Sequence, residues 1–116
     1  MEPFFIPTQC AQGLPGRTVA VLAPHPDDEV FGCGGSLALL AQTGATVHVA
    51  VLTDGQKWTP GTEQATFRRQ ESECAARVLG YPAPEFWGLE DGALLDAPDL
   101  ANRIQAWLEA IGADTL

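Results

Sequence analysis

Thr18–Ala23 is an almost continuous apolar run, rich in β-branched side chains, as expected of a strand covered on both faces. Pro24 and Pro26 end it, because neither ring nitrogen can donate to a ladder. Apolar positions then recur at Val30, Gly34, Leu37 and Ala41, flanked by Phe31, Cys33 and Leu40. That spacing predicts a helix over 30–43, closed by Gly44. Residues 45–52 (ATVHVAVL) form a second buried strand, ending in Thr53-Asp54-Gly55. A loop with Trp58, Pro60 and Gly61 leads to Thr62, a good N-cap for a helix over 63–79. Its inward residues are expected to be Phe67, Cys74, Ala75 and Val78, and Gly80 ends it. Pro82 and Pro84 frame a short strand over 85–87. Asp96 or Ala97, with Pro98 behind it, opens a last helix whose apolar stripe is Leu100, Ile104, Trp107, Leu108 and Ile111. Gly112 closes that helix, and residues 113–116 read as the entry to a fourth strand.

Strands and helices that alternate at this length predict an α/β fold, a Rossmann-like three-layer sandwich with a mainly parallel sheet and right-handed crossovers. Residues 1–17, with three prolines and two glycines, read as an irregular lead-in. Residues 18–116 read as the βαβαβα part of a single domain. A sheet that stops at the entry to a strand exposes an edge. The expectation is therefore a domain truncated on its C-terminal side, with an open edge that favours a homo-oligomer. Ligands of such sheets bind beyond the carboxyl ends of the strands. His25 to Glu29, Asp54 to Trp58 and Gly88 to Gly92 then share one rim.

Composition narrows the function. The chain has 116 residues, 46% of them hydrophobic, enough for one globular core. Asp and Glu number 15 against 6 Lys and Arg, a net charge of -9, which argues against nucleic acid as a partner. The apolar runs are too short to cross a bilayer, and MEPFFIPTQC lacks the basic and apolar regions of a signal peptide. Three widely spaced cysteines, Cys10, Cys33 and Cys74, with no CxxC, suit a reducing, cytoplasmic setting.

The chemistry concentrates in Pro24-His25-Pro26-Asp27-Asp28-Glu29. Three acids in a row leaving a buried strand are costly unless a cation neutralises them. His25 and Asp28, three apart across a proline turn, can converge on one ion, and imidazole with carboxylate is a usual zinc pair. Asp27 is then free as a base toward a water that the ion acidifies. The plainer reading is that Asp28 and Glu29 cap the next helix while His25 packs on the strand end.

Ala23 to Glu29 followed by Gly32-Cys33-Gly34-Gly35 resembles the signature of the PIG-L/LmbE-like family of zinc-dependent N-acetylglucosaminyl deacetylases. The likeness continues through Leu52 to Gly55, Arg68 with Glu71, Ala75-Ala76, Leu79-Gly80, and Leu89 to Gly92. The resemblance implies Zn2+ or another divalent transition metal held by His25 and Asp28, with Asp27 as general base. It implies substrate contacts at Arg68 and Asp91, and a site-shaping role for Asp54. It implies hydrolysis of an acetyl amide on an N-acetyl sugar or glycoconjugate. The family's third metal ligand and an oxyanion-stabilising histidine come from a later His-rich motif. Here the histidines are His25 and His48, and His48 lies mid-strand, packed or facing solvent.

Other readings stay open. Arg68 could pair with Glu71 on the helix surface, Asp54-Gly55 could be a plain turn, and Trp58 could stack on a sugar or cover the core. Trp107 reads as core, and the paired glycines as a close approach of helix to strands. The alternatives for function are a receiver-type phospho-acceptor domain binding a divalent ion, and a non-catalytic fragment of the deacetylase fold.

Overall fold

The computed structural model describes residues 13–57 and 61–116. Trp58 and Cys10, named above, lie outside them, as does most of the lead-in. Gly13 to Arg17 form neither helix nor strand. The elements are β1 (Thr18–Ala23), α1 (Asp28–Gln42), β2 (Thr46–Thr53), α2 (Thr62–Leu79), β3 (Glu85–Leu89), a 3-10 turn (Leu94–Asp96) and α3 (Leu100–Ile111).

β1 and β2 run parallel from Thr18 opposite Thr46 to Ala23 opposite Val51, as expected, and β3 joins β2 in parallel on its other side. On the far edge of β1, Val19 bridges Thr115 in parallel. The Ala20 N–H donates to Thr115 O at 2.9 Å, and the Asp114 N–H donates to Thr18 O at 2.9 Å. The predicted entry to a fourth strand is therefore present, beside β1. Chain order reverses at β1, so its carboxyl end is the switch point where ligands of such sheets bind. α1 packs on α2 and on both first strands. A right-handed return from β3 to the far edge of β1 sets α3 on the opposite face, giving three layers.

The core is Val19, Ala23, Leu37, Leu40, Val47, Val49, Val51, Ala76 and Tyr81. α2 does not turn its apolar residues inward as its pattern suggests. Phe67 is 58% exposed, Val78 85%, and Cys74 is exposed, whereas Ser72 and Ala76 are buried. The cause lies in polar contacts at the rim, which fix the helix's rotation. α3 has no buried residue, so Trp107 is not core but half-buried. It meets Trp87 edge-on at 5.9 Å and donates from Nε1 to Glu85 Oε1 at 3.2 Å. The glycines of α1 do not serve strand packing either. A Cβ on Gly35 would meet nothing, and one on Gly34 would touch Leu79 of α2. α1 instead breaks its helical geometry at Cys33, where φ is -146°. Among the described residues no helix is long and apolar enough to cross a membrane.

Candidate active site

β1 stops at Pro24, and β2 holds its exit. Pro24 O accepts from the Thr53 N–H at 3.0 Å and from Thr53 Oγ1 at 2.8 Å. Thr53 Oγ1 also accepts from the Gly55 N–H at 3.3 Å, so one buried hydroxyl ties two rim loops together. Sequence reading passed over Thr53, although a threonine at the last position of a buried strand was a usable signal.

The turn that follows brings the expected residues together. Asp28 Oδ2 lies 3.1 Å from His25 Nδ1 and accepts from the His25 N–H at 3.0 Å. His25 Nε2 lies 2.8 Å from Asp91 Oδ1. Asp91 Oδ2 accepts from the Lys57 N–H at 3.0 Å, and the Asp91 side chain is only 5% exposed. Both of its oxygens are thus engaged within the chain, toward His25 and the Lys57 backbone. Burial disfavours the His25 imidazolium, yet the hydrogen bonds and charges of Asp91 and Asp28 outweigh it and raise the pKa. Burial opposes the Asp91 carboxylate too, and the Lys57 N–H and His25 overcome it and hold the pKa below the usual range.

Asp27 sits at φ 104°, ψ -24°, a left-handed conformation that non-glycine residues rarely adopt. Its carbonyl accepts from Val30 at 2.9 Å and Phe31 at 3.0 Å, starting α1, and its side chain stays half-exposed. Arg68 does not pair with Glu71. Nη1 donates to Gly55 O at 3.1 Å, and Nη2 to Pro26 O at 3.1 Å and Asp27 Oδ2 at 3.3 Å. The α2 guanidinium therefore fastens the turn after β1 to the loop after β2. A Cβ at Gly55, where φ is +68°, would overlap Arg68 Nη1, so glycine is required there by space as well as backbone. Asp54 Oδ1 accepts from the Gln56 N–H at 3.1 Å, the local turn that its dipeptide suggested. His48 is half-buried in mid-strand, opposite Ala20 and away from the rim.

Two clefts flank this group. One, of about 690 Å³, is lined by Asp54, Gln56, Lys57, Glu90 and Asp91 among others. The other, of about 350 Å³, is bordered by Pro26, Asp27, Phe31, Arg68 and Ser72. Among the described residues no group of three or more His, Cys, Asp or Glu is arranged to hold a metal ion. The donors at the rim are therefore the pair His25 and Asp28, with Asp91 behind the imidazole.

Comparison with known proteins gives the family. An uncharacterized deacetylase of Escherichia coli, YaiS, is 40% identical over 64 residues, which cover 55% of this chain and 33% of that protein. The crystal structure of an N,N'-diacetylchitobiose deacetylase from Pyrococcus horikoshii superposes with a TM-score of 0.76 at 29% identity, covering 85% of this chain and 39% of that one. A 4-carboxy-2-hydroxymuconate hydratase, GalB, from Pseudomonas putida gives 0.70 at 26% identity, covering 82% and 43%. The chain thus spans less than half the length of each. The family described as GlcNAc-PI de-N-acetylase matches residues 20–116, a span that holds the His25–Asp28 turn, Arg68 and Asp91. The chain belongs to this family, PIG-L.

Proposed function

We propose that this chain carries the water-activating part of a zinc-dependent N-deacetylase, which removes the acetyl group from an N-acetyl sugar or glycoconjugate in the cytoplasm. The observation that supports it most is the rim pair, His25 Nδ1 and Asp28 Oδ2 at 3.1 Å. An imidazole and a carboxylate are a usual zinc donor pair, and these two would hold such an ion. The place between the two atoms already suits a cation, since both groups there compete for one proton. Asp91 would accept from Nε2–H, fixing the tautomer that leaves Nδ1 free to ligate, as carboxylate partners of ligating histidines do.

When bound, the ion supplies polarisation of the acetyl carbonyl and acidifies water. The chain's own residues do the rest. Asp27 takes the proton of the attacking water on its exposed carboxylate and returns it to the departing amine nitrogen. Arg68 keeps that carboxylate from swinging away, and shields the Pro26 and Gly55 carbonyls from solvent. Asp54 and Asp91 line the larger cleft, and Arg68 the smaller, so the two residues expected to contact substrate and the one expected to shape the site border the space a sugar would enter. A catalytic zinc normally takes three protein ligands. His25 and Asp28 are two, and on this reading the 116-residue chain binds zinc weakly and does not turn over by itself.

Hydration is the second reading, favoured by the likeness to the Pseudomonas hydratase. The test is a chimera in which residues 18–116 replace the matched segment of the Pyrococcus deacetylase. Acetate release from an N-acetylglucosaminide, lost in Asp27→Ala, is the expected outcome. A folded, zinc-loaded chimera that is inert toward acetamides would overturn the deacetylase reading, and water uptake by an unsaturated acid would replace it with the hydratase one.

A further inference from the structure

Glu29 is 1% exposed, and a carboxylate at that depth demands an explanation. Its two oxygens are both used. Oε1 accepts from Ser72 Oγ at 2.6 Å, and Oε2 accepts from the Asp27 N–H at 3.0 Å. Ser72 is itself buried, on α2, four residues after Arg68 and therefore on the same helix face. α2 thus grips the turn at two points. Arg68 takes the carbonyl of Pro26 and the carboxylate of Asp27, and Ser72, through Glu29, takes the Asp27 backbone.

A glutamate accepting from the N-cap's own N–H looks at first like a capping box. The backbone says otherwise. A residue that caps a helix normally sits in the β region, whereas Asp27 sits at φ 104°, and its side chain makes no cap hydrogen bond. Asp99 is also left-handed where α3 starts, at φ 57°, but at Asp27 a buried carboxylate holds the backbone N–H. The carboxylate of Asp27 faces out of the turn beside Arg68, while Asp28, the next residue, faces His25. The two adjacent carboxylates thus have separate partners, Arg68 for Asp27 and His25 for Asp28.

We propose that Glu29 is a positioning residue for Asp27. With Ser72 it forms a buried arm from α2 that holds Asp27 left-handed, with its carboxylate beside Arg68 while the neighbouring Asp28 faces His25. The inference rests on the reading of Asp27 as the base. Donor counting refines it. Glutamine at 29 keeps one oxygen for the Asp27 N–H, and its amide nitrogen can donate to Ser72, whose hydroxyl turns to accept. Leucine keeps neither bond.

The experiment uses the 116-residue chain, isotope-labelled, as wild type, Glu29→Gln, Glu29→Leu and Ser72→Ala. The Asp27 N–H to Hα coupling and Cα shift report its φ, the Asp27 carboxyl carbon is followed as Zn2+ is added, and Zn2+ affinity is measured by titration. Wild type and Glu29→Gln should show the left-handed signature and a carboxyl shift on adding Zn2+. Glu29→Leu should lose both, while its Zn2+ affinity stays within about threefold of wild type, because His25, Asp28 and Asp91 are untouched. Ser72→Ala should exchange its Asp27 amide proton at least about threefold faster, with a weakened signature, and this milder variant decides the matter if Glu29→Leu does not fold. A left-handed Asp27 that persists in folded Glu29→Leu, or is unmoved in Ser72→Ala, overturns the proposal. Parallel loss of Zn2+ affinity and signature also overturns it, since that would mark Glu29 as general support for the whole turn. Absence of Zn2+ binding in wild type would sink the metal reading, and the Asp27 conformation would still decide this one.

Discussion

The part of the chain up to Tyr81 and the part after it are held together differently. Every buried aliphatic or aromatic residue among those described, from Val19 to Tyr81, belongs to the first part, and Pro84 is the one buried residue described after it. β3 and α3 contain no buried residue. They are joined by surface aromatics and cations: Trp87 against Trp107, Arg103 stacked 4.1 Å from the Trp87 ring, and Arg69 4.5 Å from Phe86. Such contacts contribute about 0.5–1.5 kcal/mol each, well below the burial of one large aliphatic side chain. The site divides the same way. His25, Asp27, Asp28, Glu29 and Arg68 all come from the packed part, and the loop after β3 sends one carboxylate, Asp91, across to His25. The residues proposed to hold an ion and a base come from the stiff side, and Asp91 alone reaches His25 from the looser one.

The sharpest way to break this division is to remove the donors one at a time. Asp28→Ala should abolish measurable Zn2+ binding, whereas Asp27→Ala should keep it within about threefold while ending acetate release in the chimera described above. Equal loss of Zn2+ in both would contradict the separation of ligand from base. Asp91→Asn tests the contact with His25, and should weaken Zn2+ binding by about 10–100-fold through a freed imidazole. Unchanged affinity in that variant would mean that the β3 side contributes nothing to the ligand.

A smaller effect follows from packing. Leu37→Ala, in the core, should cost about 2–5 kcal/mol in urea unfolding. Leu108→Ala, on the half-buried face of α3, should cost under about 1.5 kcal/mol, since less area leaves contact. Equal losses would show that α3 is covered in solution more deeply than its packing on this chain provides.

Sequence pattern located every strand and α-helix but missed the 3-10 turn at Leu94–Asp96, so α3 starts at Leu100 and not at Asp96 or Ala97, and it misjudged depth and rotation. α3 has the clearest apolar stripe, Leu100, Ile104, Trp107, Leu108 and Ile111, and stays half-buried, because a stripe says which face turns in and not how much covers it. α2 has a weaker stripe and was assigned the wrong inner face. Arg68 and Ser72 set its rotation through hydrogen bonds, and a reading that counts apolar residues cannot weigh them. The same blindness let Arg68 pass as a partner of Glu71. The meeting of His25 with Asp28 was legible because it is local, three residues across a proline turn. Topology put Asp91 on the rim, and family resemblance alone suggested a substrate contact for it. Its contact with His25 spans 66 residues and depends on the register of two strands, which no local pattern encodes.

The smallest effect belongs to Tyr81, at the boundary between the two parts. It is a core residue, and its hydroxyl has no hydrogen-bond partner among the described residues. Burial, reinforced by the charges of Glu29 and Cys33, pushes its ionisation up to about 12 from 10.0. The chain has one tyrosine, so phenolate absorbance reports this residue without ambiguity. It should titrate near pH 12 in the folded chain and near pH 10 in urea. The sign follows from linkage: the folded form binds the phenolic proton more tightly than the unfolded one. The corresponding stabilisation is complete below about pH 10 and is lost as pH rises toward 12. Tyr81→Phe should remove this loss while changing neutral-pH stability by less than about 1 kcal/mol, since the hydroxyl it deletes made no bond. A titration near 10 in the folded chain, or a Phe variant destabilised by more than about 2 kcal/mol, would mean that the hydroxyl has found a partner, and Glu29, whose charge it already feels, is the first group to examine.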